Sequence, residues 1–179
     1  MSQGQAEEQD PLVGTLVAGK YRIVKQLGEG GMGCVYLAEQ HSGAGFRRKV
    51  ALKLLNDDVA RVRGAARRMR DEARVLGLLS HRHIVSVHDL VRVDERWAIL
   101  MDWVPGADLE QVIEALQVID GTFPVSAALE VGAAVFDALH FAASAPDGTG
   151  GSLAVIHRDI KPSNLRLTVD GDLKVLDFG

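Results

Sequence analysis

Residues 155–164 read VIHRDIKPSN, and residues 176–179 read LDFG. Asp159 and Asn164 lie in the first stretch, and Asp177 follows after a predicted hairpin, at the end of its second strand. Carboxylate and amide oxygens are the ligands that Mg²⁺ prefers, and one further carboxylate can serve as a base for a hydroxyl group. The spacing therefore predicts a magnesium site beside a base.

A glycine cluster, GEGGMG at residues 28–33, lies between two predicted strands. A dinucleotide-binding turn would open a helix at this point, but residues 34–39 read CVYLAE, which favours a strand. The pattern favours a hairpin loop over phosphates, because glycine lets backbone N–H groups approach anionic oxygens closely. A plain glycine turn is the alternative.

An ion pair is predicted between a strand and a helix. Lys53 follows three apolar residues, at 50–52, in a predicted strand at 46–54, and Glu72 falls on the apolar stripe of a predicted helix, 59–79. A carboxylate on that stripe needs a partner, and an ammonium held by it can meet the oxygens of a nucleotide. A strand-edge lysine in solvent is the other interpretation of Lys53.

Composition excludes several classes of protein. The 179 residues are 47% hydrophobic and 25% charged, as in a globular chain, and the apolar runs are too short for a membrane span. A net charge of −4 predicts no nucleic-acid partner. The single cysteine, Cys34, excludes an intrachain disulfide, and the polar start shows no signal peptide, so we expect a cytoplasmic location.

Hydrophobic periodicity divides the chain into two halves of an α+β fold. Residues 1–15 are expected to be a disordered tail, followed by three strands in a meander, one helix and two further strands, about five strands in all. The first strand is predicted to place three residues on one face: Tyr21, Ile23 and Lys25. Two helices should follow, at 108–119 with Asp108 as N-cap and at about 124–143.

With GEGGMG, VALK at 50–53, the helical Glu72, HRDIKPSN and DFG in this order, the chain resembles a protein kinase catalytic domain. The type is the bacterial eukaryotic-like (Hanks-type) serine/threonine kinase. The resemblance implies a two-lobe fold, with an N-lobe at 16–103 made of a five-stranded antiparallel sheet and the family's αC helix. Residues 104–179 would be the first part of a helical C-lobe, comprising the hinge, αD, αE, the catalytic loop and DFG.

The resemblance also implies ATP and Mg²⁺ as ligands and Ser or Thr hydroxyls of proteins as substrates. Its catalytic residues would be the base Asp159, the γ-phosphate contact Lys161, the α/β-phosphate ligand Lys53 and the ion-pair partner Glu72. The metal ligands would be Asn164 and Asp177. The remaining ATP contacts would be Leu27, Gly28, Glu29, Gly30, Gly31, Met32 and Gly33 over the phosphates, Val35 and Ala51 above the adenine, Met101 behind it, the hinge Asp102 to Val104, and Arg166 beneath the base. An internal apolar column would contain Leu76, Val87, His157 and Phe178.

Two features depart from the family pattern. The sequence ends at Gly179, directly after DFG, so we expect a fragment that is inactive alone. Arg166 replaces an apolar residue under the adenine, where its flat guanidinium could stack on the base. A pseudokinase or nucleotide-binding scaffold and a small-molecule phosphotransferase remain alternatives, although Lys161–Pro162 favours a Ser/Thr protein kinase.

Overall fold

A computed structural model describes residues 10–30, 33–41, 45–56, 73–94 and 96–178. These residues fall into two compact units. The first contains the described residues of Met1–Ala66 and Leu90–Trp103, and the second those of Arg67–Asp89 and Val104–Gly179.

The first unit is built on a six-stranded sheet in the order β1-β2-β3-β4-β6-β5. Its strands are β1 (Leu16–Val17), β2 (Tyr21–Gly30), β3 (Gly33–His41), β4 (Arg47–Leu55), β5 (Val87–Val93) and β6 (Arg96–Asp102). Strands β1 to β4 pair antiparallel in turn, and β6 continues antiparallel to β4. The antiparallel sheet confirms the predicted α+β fold. The strand that the sequence did not reveal, β1, has only two residues and so shows no alternation.

One face of this sheet carries the apolar core of the unit. Tyr36, Val50, Leu52, Leu54 and Leu100 are buried there, each with at most 3% of its surface exposed. Because side chains alternate along a strand, the residues between them face the opposite side of the sheet.

Strand β2 does not keep the alternation that the sequence predicted. Tyr21 and Ile23 are buried, but Lys25 is exposed. The pairing with β3 shifts register between Ile23 and Lys25. A one-residue shift moves the following side chains to the other face, so the expectation that Lys25 shares the face of Tyr21 was wrong.

The segment 10–15 belongs to the ordered fold, although a disordered tail was expected over 1–15; residues 1–9 lie outside the described part. Leu12 and Val13 pack against the sheet core. The Tyr36 hydroxyl donates to Asp10 Oδ2 at 2.7 Å, and Asp10 Oδ1 accepts from the Leu12 amide at 2.8 Å. Burial and the hydrogen bond to Asp10 raise the pKa of Tyr36.

The second unit combines two helices with a small sheet. Helix α1 is Leu109–Val118, helix α2 is Val125–Ser144, and a 3-10 turn spans Pro162–Asn164. Strands β7 (Gly106–Asp108), β8 (Leu165–Thr168) and β9 (Leu173–Val175) pair antiparallel in the order β7-β8-β9. Residues 73–77 are also helical, while the rest of the predicted helix up to residue 72, including Glu72, lies outside the described residues.

Helix α1 begins where the sequence predicted. Asp108 accepts a hydrogen bond from the Gln111 amide at 2.9 Å, and the Gln111 side chain accepts from the Asp108 amide at 3.2 Å. This reciprocal pair is a capping box, which satisfies two N–H groups that a helix start leaves without partners. The N-cap residue therefore fixes where β7 ends and α1 starts.

Helix α2 has 20 residues, and an 18-residue stretch of it has a mean hydropathy of 1.4, so by length and composition it is apolar enough to cross a membrane. The expectation of no membrane span was based on uninterrupted apolar runs alone, and these do not reveal the apolar character of the whole helix. Length and composition are weak evidence for a span, because the core helix of a soluble protein passes the same test. In this unit Val135, Ala138 and Ala142 pack into the core, whereas Leu129 and Phe136 are exposed.

Replacing Tyr36 by Phe should lower the free energy of unfolding of the full-length protein by ~1–2 kcal/mol, because it removes a hydrogen bond to a carboxylate from a buried side chain. Urea denaturation measures the change. Thr15→Val is the matched control, since it removes an exposed hydroxyl bond in the same segment and should cost less than about 0.5 kcal/mol. Equal losses in the two variants would contradict a role for Tyr36 in holding the segment.

Candidate functional site

The glycine cluster forms the end of the β2–β3 hairpin. Gly30 pairs with Gly33, and Gly28 pairs with Val35; Gly31 and Met32 lie outside the described residues. A Cβ atom on Gly33 would lie 2.0 Å from the carbonyl oxygen of Leu54, so packing requires glycine there. A Cβ on Gly28 or Gly30 would meet nothing within 4 Å. Their missing side chains leave the backbone open to a ligand.

The neighbouring residues of the predicted loop are exposed. Leu27 has 40% of its surface accessible, and Glu29 accepts a weak hydrogen bond from Gln26 at 3.5 Å. Neither side chain is therefore needed for the core of the unit. Their exposure leaves both available to a ligand near the glycine hairpin.

Four predicted ATP contacts share one face of the first sheet. Val35 pairs with Lys53, and Ala51 pairs with Met101, which places all four opposite the core face. Lys53 is 9% exposed, which is uncommon for a lysine outside a site or an ion pair. The sheet thus collects these side chains into one surface.

Asp102 and Val104, the two ends of the predicted hinge, make different contacts. The Asp102 carboxylate forms an ion pair with Arg48, the residue two positions before its strand partner Val50. Val104 is buried, and its carbonyl accepts a hydrogen bond. The Asp102 side chain is thus engaged by Arg48.

Asp159 is held by two neighbours in the second unit. Lys161 Nζ lies 2.8 Å from Asp159 Oδ2, and Asn164 Nδ2 donates to the same oxygen at 3.1 Å and to the Asp159 carbonyl at 2.8 Å. The hydrogen bond from Lys161, followed by that from Asn164, lowers the pKa of Asp159. The carboxylate, about 44% exposed, is therefore ionised at neutral pH and open to solvent.

The β8–β9 hairpin brings Asn164 next to the segment that carries Asp177. Asn164 directly precedes β8, and the Leu176 amide donates to the Asn164 carbonyl at 2.9 Å. Because the Asn164 amide nitrogen is engaged by Asp159, its Oδ1 is the atom left for a cation. Asp177, one residue beyond Leu176, adds a carboxylate at the same hairpin end.

The predicted apolar column is assembled. Leu76 and Phe178 are buried in the core of the second unit, and Val87 packs against the same core. The rings of His157 and Phe178 lie 4.5 Å apart. His157 Nε2 donates to the Leu176 carbonyl at 2.8 Å, while Nδ1 accepts from the Asp159 amide at 3.3 Å. One imidazole thus links the backbone at Asp159 to the segment 176–178.

Arg166 does not lie free for stacking. Its Nε donates to the Val104 carbonyl and its Nη2 to the Gly106 carbonyl, both at 2.7 Å. No sequence pattern indicated these two bonds, because Val104 and Gly106 are about 60 residues away from Arg166.

The ion pair of Asp159 with Lys161 was also missed, since Lys161 was assigned only to a phosphate. The backbone of Lys161 is extended, at φ −154° and ψ 162°. Residues two positions apart lie on the same side of an extended chain, so a prediction of extended chain over 159–161 would have indicated the pair from its spacing.

Comparison with known proteins agrees with this geometry. The family model "Protein kinase domain" matches residues 21–179. The chain is 35% identical over 161 residues to the tyrosine-protein kinase MasK of Myxococcus xanthus, covering 90% of this chain and 25% of MasK. It is 35% identical over 168 residues to the serine/threonine-protein kinase PrkC of Bacillus subtilis, covering 94% of this chain and 24% of PrkC.

A solved structure shows the same fold. The crystal structure of the PknI kinase domain of Mycobacterium tuberculosis aligns with a TM-score of 0.73 and 34% identity, over 92% of this chain and 60% of that domain. The chain thus spans about a quarter of the length of the two curated relatives. The match to the family model covers most of its residues, and we conclude that the chain belongs to the protein kinase domain family.

Proposed function

We propose that the protein transfers the γ-phosphoryl group of ATP to Ser or Thr hydroxyls of proteins. The observation that carries the proposal is the Asp159 carboxylate, held by Lys161 and Asn164 at the end of a hairpin that also carries Asp177. The choice of Ser or Thr over Tyr is supported by Lys161–Pro162 and by the relatives that are named serine/threonine kinases. MasK, by contrast, is named a tyrosine kinase.

Asp159 is proposed as the group that orients the substrate hydroxyl and accepts its proton as the oxygen attacks the γ-phosphorus and ADP departs. Asp159 is ionised at neutral pH, as an aspartate ordinarily is, and the hydrogen bond from Lys161 lowers its pKa further. The ionised state is the one that a proton acceptor requires. Lys161 holds the carboxylate in place, and its ammonium can also meet the γ-phosphate. An ionised, oriented Asp159 favours catalysis over a purely scaffolding role.

Asn164 and Asp177 are proposed to hold Mg²⁺, which would neutralise charge on the phosphates. Among the described residues there is no cluster of three or more His, Cys, Asp or Glu side chains suited to a metal. A small set of hard oxygen donors fits Mg²⁺, because this ion usually keeps water and phosphate oxygens among its ligands. The amide Oδ1 of Asn164 and the carboxylate of Asp177 are such donors.

The first unit is proposed to supply the nucleotide contacts. Lys53 would bind the α and β phosphates with Glu72 as its partner, and the open backbone at Gly28 and Gly30 would cover the phosphates. Val35, Ala51 and Met101 would contact the adenine from the sheet face that they share with Lys53. We further propose lobe boundaries at residues 16–103 and 104–179.

Mg²⁺ and ATP together should raise the melting temperature of the full-length protein, because a ligand that binds the folded state stabilises it, by ~2.7 kcal/mol at about 100 times its dissociation constant. Asp177→Asn should abolish most of this stabilisation and of the kinase activity. Asn suits the position because Asp177 has φ +53°, a left-handed conformation that Asn also tolerates. Differential scanning fluorimetry measures the shift.

Asp172→Asn is the matched control, since this exposed carboxylate lies on the same hairpin and pairs with Arg82 at 3.5 Å. It should leave the stabilisation by Mg²⁺ and ATP unchanged. Retention of full stabilisation in Asp177→Asn would contradict the assignment of Asp177 to the metal.

Lys161→Met should raise the pKa of Asp159, because the hydrogen bond from Lys161 is the largest cause of its lowering. Because the pKa of Asp159 is lower in the folded than in the unfolded protein, its ionised carboxylate stabilises the fold at pH values above the unfolded-state pKa. This contribution to stability is lost as the pH falls through the folded-state pKa. In the variant this contribution should be smaller, and its loss on acidification should be complete at a higher pH. Carbon-13 NMR of labelled aspartate Cγ atoms measures the titration midpoint directly.

Arg82→Met, which breaks the exposed pair with Asp172, serves as the control and should leave the Asp159 midpoint in place. An Asp159 midpoint that is the same in Lys161→Met and in the unmodified protein would show that Lys161 does not set its charge.

A further inference from the structure

Arg166 joins β8 to a segment about 60 residues earlier in the chain. Its guanidinium presents two N–H groups in a fixed fork, and these donate to the carbonyls of Val104 and Gly106 at 2.7 Å each. Donors that carry a full charge make shorter and stronger hydrogen bonds than neutral ones. The two bonds therefore hold both carbonyls in one orientation.

The bonded segment is held on one side by the pairing of β7 with β8, in which Gly106 pairs with Thr168. Pro105 has no N–H group to donate, and its carbonyl accepts a long bond of 3.3 Å from the Val169 amide. Gly106 has φ +141°, and a Cβ atom there would lie 1.9 Å from the Leu167 carbonyl oxygen. Glycine is thus required at position 106 for close packing against β8. Val104 precedes this strand pairing, so the hydrogen bond from Arg166 is what holds its carbonyl.

Arg166 also changes what the segment offers to a ligand. A backbone edge that binds a planar base presents N–H groups and carbonyls, and the Val104 carbonyl is already engaged by Arg166. The guanidinium could stack beneath a base only after breaking both of its hydrogen bonds. The geometry favours a clamp on the backbone over a stacking platform.

We propose that Arg166 is a positioning residue for the nucleobase: it fixes the backbone at Val104 and Gly106, where the base-binding segment ends. The inference rests on the proposed function, because it requires that this segment binds the base of ATP. Arg166 affects only the binding of the base, so the binding of the phosphates should not depend on it.

The test compares two ligands on the full-length protein, ATP with Mg²⁺ and inorganic tripolyphosphate with Mg²⁺, by calorimetry. Arg166→Gln removes the charged fork, and ATP should bind about tenfold more weakly, which corresponds to ~1.4 kcal/mol. Tripolyphosphate, which has no base, should bind as before. Arg166→Lys keeps the charge but can reach only one carbonyl at a time, so its ATP affinity should fall between those of the other two proteins.

Steady-state kinetics add a second readout. In Arg166→Gln the KM for ATP should rise about tenfold, while kcat and the KM for a protein substrate stay the same. Lys174→Gln is the matched control, because Lys174 is the strand partner of Arg166 on β9 and should affect neither ligand.

The outcomes distinguish a failure of the proposed function from a failure of the positioning role of Arg166. If the unmodified protein binds neither ligand, the proposed function fails. If it binds both, and Arg166→Gln leaves ATP affinity unchanged or weakens both ligands equally, the positioning role of Arg166 is overturned, since equal weakening reports general damage to the fold.

Discussion

The hydrogen bond from the Leu176 amide to the Asn164 carbonyl is the constraint on which the second unit's site depends. It closes the open end of the β8–β9 hairpin, so residues thirteen positions apart, Asn164 and Asp177, arrive at one edge. Asn164 then holds Asp159 through its side chain. Backbone pairing, which any sequence of suitable strand propensity can form, thus sets where the chemically specific groups stand.

Two residues of this region adopt a backbone conformation that most side chains avoid. Arg158 has φ +66° and Asp177 has φ +53°. Such conformations cost of order 1–3 kcal/mol each and persist only where neighbours hold them. His157 is placed to do so, since it lies beside Arg158, is 1% exposed and bonds both the Asp159 amide and the Leu176 carbonyl. The strain is therefore balanced locally by one buried imidazole.

Patterns that depend on local spacing were predictable from the sequence. The N-cap at Asp108, the two helices after it and the hairpin before DFG follow from periodicity and turn chemistry. Features that depend on pairing at a distance were not. The register shift after Ile23 turned Lys25 outward, and the bonds of Arg166 join residues that no sequence pattern connects. Charge and spacing in the sequence indicate candidate residues, whereas tertiary structure determines which partner each of them contacts.

The contact of Tyr36 with Asp10 bears on how the protein is prepared for experiments. A boundary chosen from hydrophobic pattern alone would start recombinant material at Leu16, where the first strand begins. That cut would delete Leu12 and Val13 from the sheet core and leave the Tyr36 hydroxyl without its acceptor. Material that starts upstream of Asp10 keeps the contacts of Asp10, Leu12 and Val13 with the sheet and should give the more stable sample for crystallisation.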